Sequence, residues 1–153
     1  VLSITGRKKK RARSTESSFE AAFSGAQSRK NFHVNMGSAG WPDRYFRGGI
    51  WIEFKVLDGW APQLEKEQPA IMTYLERIGD LVFYCALVVE DHTVIFKPWH
   101  YIRGLKSLKH VERFAYRDKR DLKEMFDAAM PKDREFRNHE PSKHGPEQAS
   151  CAA

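Results

Sequence analysis

Trp41-Pro42-Asp43-Arg44-Tyr45-Phe46-Arg47-Gly48-Gly49-Ile50-Trp51-Ile52-Glu53-Phe54-Lys55-Val56-Leu57 decides how this chain folds. Ile50, Ile52, Phe54 and Val56 alternate with Trp51, Glu53, Lys55 and Leu57, the period of two that sends successive side chains to opposite faces of a strand. Arg47-Gly48-Gly49 separates this strand from Pro42 to Phe46, which is a hairpin signal. Loop length then decides the face of Asp43, since a slip of one residue reverses every side chain. A two-residue turn at Gly48-Gly49 opposes Arg47 to Ile50 and Asp43 to Phe54. A three-residue loop opposes Phe46 to Ile50 and Asp43 to Glu53, so both carboxylates share a face. Glycine at the last loop position suits the left-handed backbone that such loops require, so the three-residue loop or an equivalent bulge is predicted.

Elements on either side follow from the same patterns. Thr15 to Phe23 reads as a helix capped by Ser14 or Thr15, with Phe19, Ala22, Phe23 and Ala26 on one stripe. Asn31 to Met36 is a weakly alternating strand that Gly37-Ser38-Ala39-Gly40 breaks. Gln63 to Ile78 reads as a helix, with Pro69 marking a kink or the true start of its regular part, and Gly79-Asp80 ends it. Leu81 to Val89 and Thr93 to Pro98 form a strand pair, the first apolar enough to be central and covered on both faces. Lys119 to Met130 carries Leu122, Met125, Phe126 and Ala129 at helical spacing. Helix, strands, helix, strands, helix gives an α/β or α+β domain with a mixed sheet. It spans residues 14–130, between a basic arm over 1–13 that reads as mobile and a polar tail over 131–153 that reads as disordered.

Composition narrows the function classes. The chain has 153 residues, enough for one domain with tails, and 41% of them are hydrophobic. Its longest apolar run, Leu81 to Val89, falls far short of the roughly 20 residues a membrane-spanning helix needs. No signal-peptide core follows the basic N-terminus, and Cys85 and Cys151 make neither a disulfide framework nor a zinc cluster, so an intracellular, reducing location is expected. The 26 Lys and Arg outnumber the 20 Asp and Glu by six, and Arg7, Lys8, Lys9, Lys10, Arg11 and Arg13 account for the whole excess. That run also passes as a nuclear-import patch. A second basic region, Tyr101 to Lys123, holds Arg103, Lys106, Lys109, Arg113, Arg117, Lys119, Arg120 and Lys123 against Glu112, Asp118 and Asp121. Both regions can neutralise phosphates; a solubilising tail and a solvated helix face are the plainer readings.

Two carboxylates facing each other across a strand pair repel unless something positive lies between them. Lys55 is one candidate and a divalent cation the better one. Mg²⁺ takes hard oxygen ligands and keeps several waters. Such an ion polarises a phosphoryl oxygen and lowers the pKa of a bound water, while Lys55 can orient or deprotonate that water or stabilise the growing negative charge. A carboxylate of the first helix, Glu16 or Glu20, can add a contact. Each motif alone reads more often as solvated surface; their combination beside two basic regions points to phosphate chemistry. His33 can face phosphate but reads more often as an ordinary, partly buried histidine; His92 and His100 lack ligand-spaced partners, and Trp41 and Trp60 read as packing before base stacking. Tyr84 and Cys85 belong to the buried strand. No Gly-x-Ser-x-Gly or Walker-type loop occurs.

Gly40-Trp41-Pro42-Asp43, Ile52-Glu53-Phe54-Lys55 and Gln68 on the following helix together resemble the PD-(D/E)XK nuclease superfamily, and more narrowly its VRR-NUC branch, over residues 14–99. The resemblance implies a restriction-endonuclease-like αβββαβ core and Mg²⁺- or Mn²⁺-dependent hydrolysis of DNA phosphodiesters, with branched or junction DNA, Holliday junctions included, as the favoured target. Asp43 and Glu53 match the metal-binding acids, the Phe54 carbonyl a further ligand, and Lys55 the catalytic lysine. Glu16, with Phe19 three positions on, matches the helix acid; Glu20 with Phe23 repeats that spacing. Gln68 matches a glutamine near the site, although Pro69 directly after it departs from the pattern. Arg7 to Arg13 together with Arg103, Lys106 and Lys109 are the expected nucleic-acid contacts, and a homodimer would supply two active sites. Competing readings are a non-catalytic nucleic-acid-binding module and a phage-type assembly protein.

Overall fold

The computed structural model describes residues 3–131, with side chains from Thr15 onward. Its elements are α1 (Ser3–Ala26), β1 (Asn31–His33), β2 (Arg44–Phe46), β3 (Ile50–Leu57), α2 (Gln68–Arg77), β4 (Leu81–Val88), β5 (Thr93–Pro98), α3 (Trp99–Ile102), β6 (Phe114–Ala115) and α4 (Lys119–Ala129). The fold is α+β: a six-stranded mixed sheet in the order β1-β2-β3-β4-β5-β6, with helices on both faces. Neighbours are antiparallel except β3 and β4, which run parallel because α2 carries the chain back between them.

Two apolar cores follow from the strand period. On one face Ile50, Ile52 and Phe54 of β3 join Phe83, Cys85 and Leu87 of β4, covered by Phe19 and Phe23 of α1 and by Leu122, Met125 and Phe126 of α4. Phe23 is the hub, with ring centroids 6.2 Å from Phe46, 5.2 Å from Phe54, 5.7 Å from Phe96 and 5.9 Å from Phe126. On the opposite face Trp51 and Leu57 join Val82, Tyr84, Ala86 and Val88 under Met72 and Leu75 of α2 and Trp99 and Ile102 of α3. β4 thus feeds both cores, which explains its unbroken apolar run.

The hairpin has the three-residue loop. Phe46 pairs with Ile50, Tyr45 with Trp51 and Arg44 with Ile52. The strand expected from Pro42 begins only at Arg44, however, so Asp43 lies just outside the ladder. The chain leaves β3 here because it must reach Gly40, which is pressed against the start of α2. A Cβ on Gly40 would lie 2.6 Å from the Glu67 Cβ, and its φ of +96° suits glycine alone. Asp43 stays attached to the β1 side through Val34 N–H, which donates to its carbonyl at 2.8 Å. The sheet therefore forks between β2 and the second half of β3.

Several boundaries differ from the sequence reading. α2 starts at Gln68 rather than Gln63, and Pro69 falls in its first turn, where its missing N–H breaks no hydrogen bond. β1 ends at His33, short of Met36, while α4 ends at Ala129 and is capped by Asp118, whose side chain accepts from Arg120 N at 2.9 Å. α1 begins at Ser3, so the basic stretch expected as a mobile arm carries helical backbone, in keeping with the good helix propensity of Lys, Arg and Ala. The side chains of Arg7, Lys8, Lys9, Lys10, Arg11 and Arg13, and the tail beyond Pro131, lie outside the described residues. No helix among the described residues is long and apolar enough to cross a membrane.

Candidate active site

The fork leaves one edge of β3 without a strand partner, and backbone geometry says which groups it orphans. Leu81 N–H donates to Gly49 O and Val89 N–H to Leu57 O, so the odd-numbered carbonyls of this stretch face β4. The even-numbered residues turn their N–H and C=O toward β2, and β2 has already left at Phe54. Asp43 replaces the missing strand: its Oδ2 accepts the Phe54 N–H at 2.7 Å. The Phe54 carbonyl points to the same open side.

Glu53 and Lys55 leave β3 on the α2 face, where the alternation would otherwise place apolar side chains. Glu53 is 1% exposed and Lys55 9% exposed. Their charged ends are 3.4 Å apart, from Lys55 Nζ to Glu53 Oε1. Gln68 Nε2 donates to the same Oε1 at 2.7 Å, and Gln68 Oε1 accepts from Glu65 N–H at 2.9 Å. The backbone donor fixes which end of the amide faces Glu53. Pro69 does not obstruct this contact, because the helix starts at Gln68. The other Glu53 oxygen, Oε2, is buried without a hydrogen-bond partner. An orphaned carboxylate oxygen in the interior is costly unless a cation or donor completes it.

The electrostatics describe a shortage of positive charge. Burial pushes the Glu53 carboxyl well above the usual carboxylate range, and the Asp43 charge pushes it further, against the pull of Lys55 and Gln68. Burial also raises Asp43, although its bond from Phe54 N–H opposes the shift. Glu16 is raised by burial too, with Lys55 opposing and Asp43 and Glu20 adding to the rise. One ammonium therefore faces three carboxylates that resist ionising together.

α1 brings Glu16 here because Phe19, one turn on, packs edge-on against Phe54 with centroids 5.9 Å apart. Glu20 is occupied: its Oε1 takes His33 Nδ1 at 2.8 Å and Arg44 Nε at 3.4 Å. Glu16 has Lys55 as its leading charged neighbour. Of the two helix acids, Glu16 is thus the one aimed at the cluster. Residue spacing cannot separate them, since the distinction depends on His33 and Arg44, which face each other across β1 and β2.

This donor set fits a hard cation that keeps most of its own water. Asp43, Glu53 and the Phe54 carbonyl converge on the fork, the Glu53 oxygen lacks a partner, and the carboxylates repel. It does not fit a closed cage, for no three His, Cys, Asp or Glu side chains among the described residues are grouped to hold a metal by themselves.

The remaining candidates separate cleanly. Arg103, Lys106 and Lys109 are exposed on the loop between α3 and β6. Arg113 pairs with Asp91 at 3.1 Å and covers the Trp60 ring at 4.6 Å, while Arg117 pairs with Asp121 and Lys123 with Asp127, each at 2.9 Å. Trp41 packs 5.7 Å from Trp51, so both tryptophans serve packing. His100 bonds Glu76 at 2.8 Å, and the His92 ring lies 5.0 Å from Tyr116. Cys85 is wholly buried and its thiol pushed up by burial.

Tyr84 was not expected near the chemistry. It pairs in register with Glu53 across the parallel ladder, and its hydroxyl lies toward the Gln63 backbone without completing a hydrogen bond of good geometry. Burial, and then the Glu53 charge, hold that hydroxyl above its ordinary pKa. The parallel register was the missing signal. Compared with family models, curated proteins and solved structures, the chain gives no match.

Proposed function

We propose that this protein is a metal-dependent endonuclease that hydrolyses DNA phosphodiester bonds at the β2–β3 fork. The observation that carries the reading is the Glu53 carboxylate: buried on a sheet face, raised by Asp43, bonded by Gln68 and Lys55 through one oxygen, and unpartnered at the other. A solvated surface pair has none of these properties. The element order α1, β1-β2-β3, α2, β4 supports the PD-(D/E)XK resemblance and its αβββαβ core.

Asp43, Glu53 and the Phe54 carbonyl would hold Mg²⁺, or Mn²⁺ in its place, with Glu16 as a further contact. Such an ion, when bound, supplies Lewis-acid polarisation of the phosphoryl oxygen and a more acidic water. The chain's own residues do the rest. Phe54 N–H fixes the Asp43 carboxylate, and Gln68 fixes Glu53, so neither must reorganise when substrate arrives. Lys55, held by Glu53, places its ammonium where negative charge grows on phosphorus-bound oxygen and can steer the attacking water. Hydrolysis adds that water's oxygen to phosphorus and breaks one P–O bond, the leaving oxygen taking a proton. Junction or branched DNA is the favoured substrate and a homodimer the favoured assembly, both on the strength of the resemblance.

A non-catalytic DNA-binding or assembly role draws on one observation. Asp43 and Glu53 already have protein hydrogen bonds, so a purely structural polar cluster accounts for part of the geometry. Cleavage of supercoiled plasmid and of a synthetic four-way junction in Mg²⁺, Mn²⁺ or EDTA separates these readings. The nuclease reading expects metal-dependent cutting that falls at least a hundredfold in Lys55→Ala and Asp43→Ala, the scale of removing one transition-state donor. Cutting that survives in EDTA or in both variants contradicts it.

A further inference from the structure

We infer that the loop from Tyr101 to His110 is a docking platform for unpaired DNA beside the fork. The inference takes its ligand from the nuclease reading but does not depend on catalysis. Residues 101–111 contain Arg103, Lys106 and Lys109 and no Asp or Glu. These three side chains are exposed and make no ion pair among the described residues, unlike Arg113, Arg117 and Lys123 further on. Lys119 and Arg120 are also exposed, but on α4 they sit among Asp118, Asp121 and Glu124. The second basic region therefore divides into a neutralised half and a half whose charge is open to a polyanion.

The open half also presents apolar surface. Tyr101 is 64% exposed, the most of any large hydrophobic side chain among the described residues, and Leu105 is 40% exposed. Lys97 Nζ, itself paired with Glu112 at 2.8 Å, lies 5.8 Å from the centre of the Tyr101 ring, and the His100 ring lies 5.4 Å from it. An exposed ring on the loop that also carries Arg103, Lys106 and Lys109 matches a single-stranded nucleic acid, which offers a base to stack and a phosphate on either side. A duplex hides its base faces, leaving phosphates and groove edges but no ring for Tyr101 to stack on.

The backbone beneath is fixed. Ile102 and Leu108 are buried, Leu108 N–H donates to Trp60 O at 2.6 Å, and Arg113 Nη1 donates to Lys109 O at 3.1 Å. Docking on such a base orders little new chain. Trp60 is also the link to the site. It lies five positions beyond Lys55, so at most about 17 Å of chain separates their Cα atoms at ~3.3 Å per residue. That is well inside one ~34 Å turn of duplex. A strand end or flap held at the Leu108–Trp60 contact would therefore lie within reach of the fork.

The test is fluorescence anisotropy of the full chain with a labelled single-stranded oligothymidine and a duplex of equal length, in EDTA so that hydrolysis does not intervene. Tyr101→Ala is expected to weaken single-strand binding about tenfold, the scale of one stacked base, and to leave duplex binding within about twofold. Lys106→Glu with Lys109→Glu should weaken both and flatten the salt dependence. Arg120→Glu, the same charge change on α4, should alter neither by more than about twofold. The inference fails if Tyr101→Ala binds the single strand like wild type, if Arg120→Glu weakens binding as much as the loop pair, or if wild type binds no single strand. Cleavage by a wild type whose loop variants bind normally would keep the nuclease and reject the platform. Loop-dependent binding without cleavage would do the reverse.

Discussion

The two faces of β3 carry opposite designs. On the α1–α4 face Ile50, Ile52 and Phe54 meet a cluster of phenylalanines around Phe23 with no polar atom from the strand. On the α2 face Trp51 and Leu57 bracket Glu53 and Lys55, a buried ion pair with one oxygen unpartnered. Buried pairs of this kind usually stabilise less than apolar side chains of similar volume. The first face is thus arranged for stability, and the second gives stability up at two positions. The surrender is local and occurs where the sheet forks and a backbone edge opens, the features on which the proposed site rests.

The contrast can be broken most forcefully through Phe23. Phe23→Ala should destabilise by about 3–5 kcal/mol, as for other buried aromatic truncations, measured as a fall in denaturant midpoint at unchanged slope. A loss below about 1 kcal/mol would mean that the phenylalanine face does not carry the fold. Gly40→Ala comes next. The new methyl group would strike the Glu67 Cβ from a backbone at φ +96°, so a loss of about 1–3 kcal/mol is expected. Activity should fall with it, because the strand that aims Asp43 would be pushed away from α2. Stability unchanged in Gly40→Ala would show that the fork does not depend on that approach.

β3 is legible to the residue because its pattern is local: eight alternating positions and a three-residue loop that sets the register of Arg44 to Phe46, although Asp43 itself lies outside the ladder. β4 was equally clear from its unbroken run. Features that depend on distant partners were not legible. Glu16 and Glu20 share one spacing, and only the position of His33 and Arg44 across the sheet tells them apart. In the sequence Pro69 is compatible with a kink in a helix from Gln63 or with the true start of its regular part, and the helix in fact starts at Gln68, where Gly40 presses on the preceding Glu67. The eight basic residues after Tyr101 look alike in sequence, yet Asp91, reached through the sheet, neutralises Arg113 and leaves the 101–110 loop charged. α3 and β6 are too short for any periodicity to reveal.

Acid titration sharpens the comparison from the surface. Arg117 donates to Asp121 through backbone and side chain, holding that carboxyl down at about 2. A depressed folded value adds stability that is present above the unfolded value near 3.8 and lost as pH falls toward 2. Asp121→Asn should therefore remove a small part of the acid-side slope in thermal melts between pH 4 and 2. A slope identical to wild type would show that the pair contributes nothing, as many exposed pairs do not.

The most direct test of the central claim is the melting temperature of Glu53→Gln beside wild type, with and without Mg²⁺, across pH 5 to 8. Glu53 has a raised folded value, so the metal-free fold binds more protons than the unfolded chain above about pH 4.5, and its stability falls as pH rises through that window. Wild type in EDTA should lose stability as pH rises from 4.5 toward the raised folded value, and Mg²⁺ should restore what is lost. Glu53→Gln should melt a few degrees higher than wild type at pH 7.5 in EDTA, show a flatter pH response and ignore Mg²⁺, a change of about 1 kcal/mol being worth roughly 2–4 °C in a domain this size. A variant that melts lower than wild type at every pH, with Mg²⁺ inert toward both, would make Glu53 and Lys55 a structural pair and contradict the account.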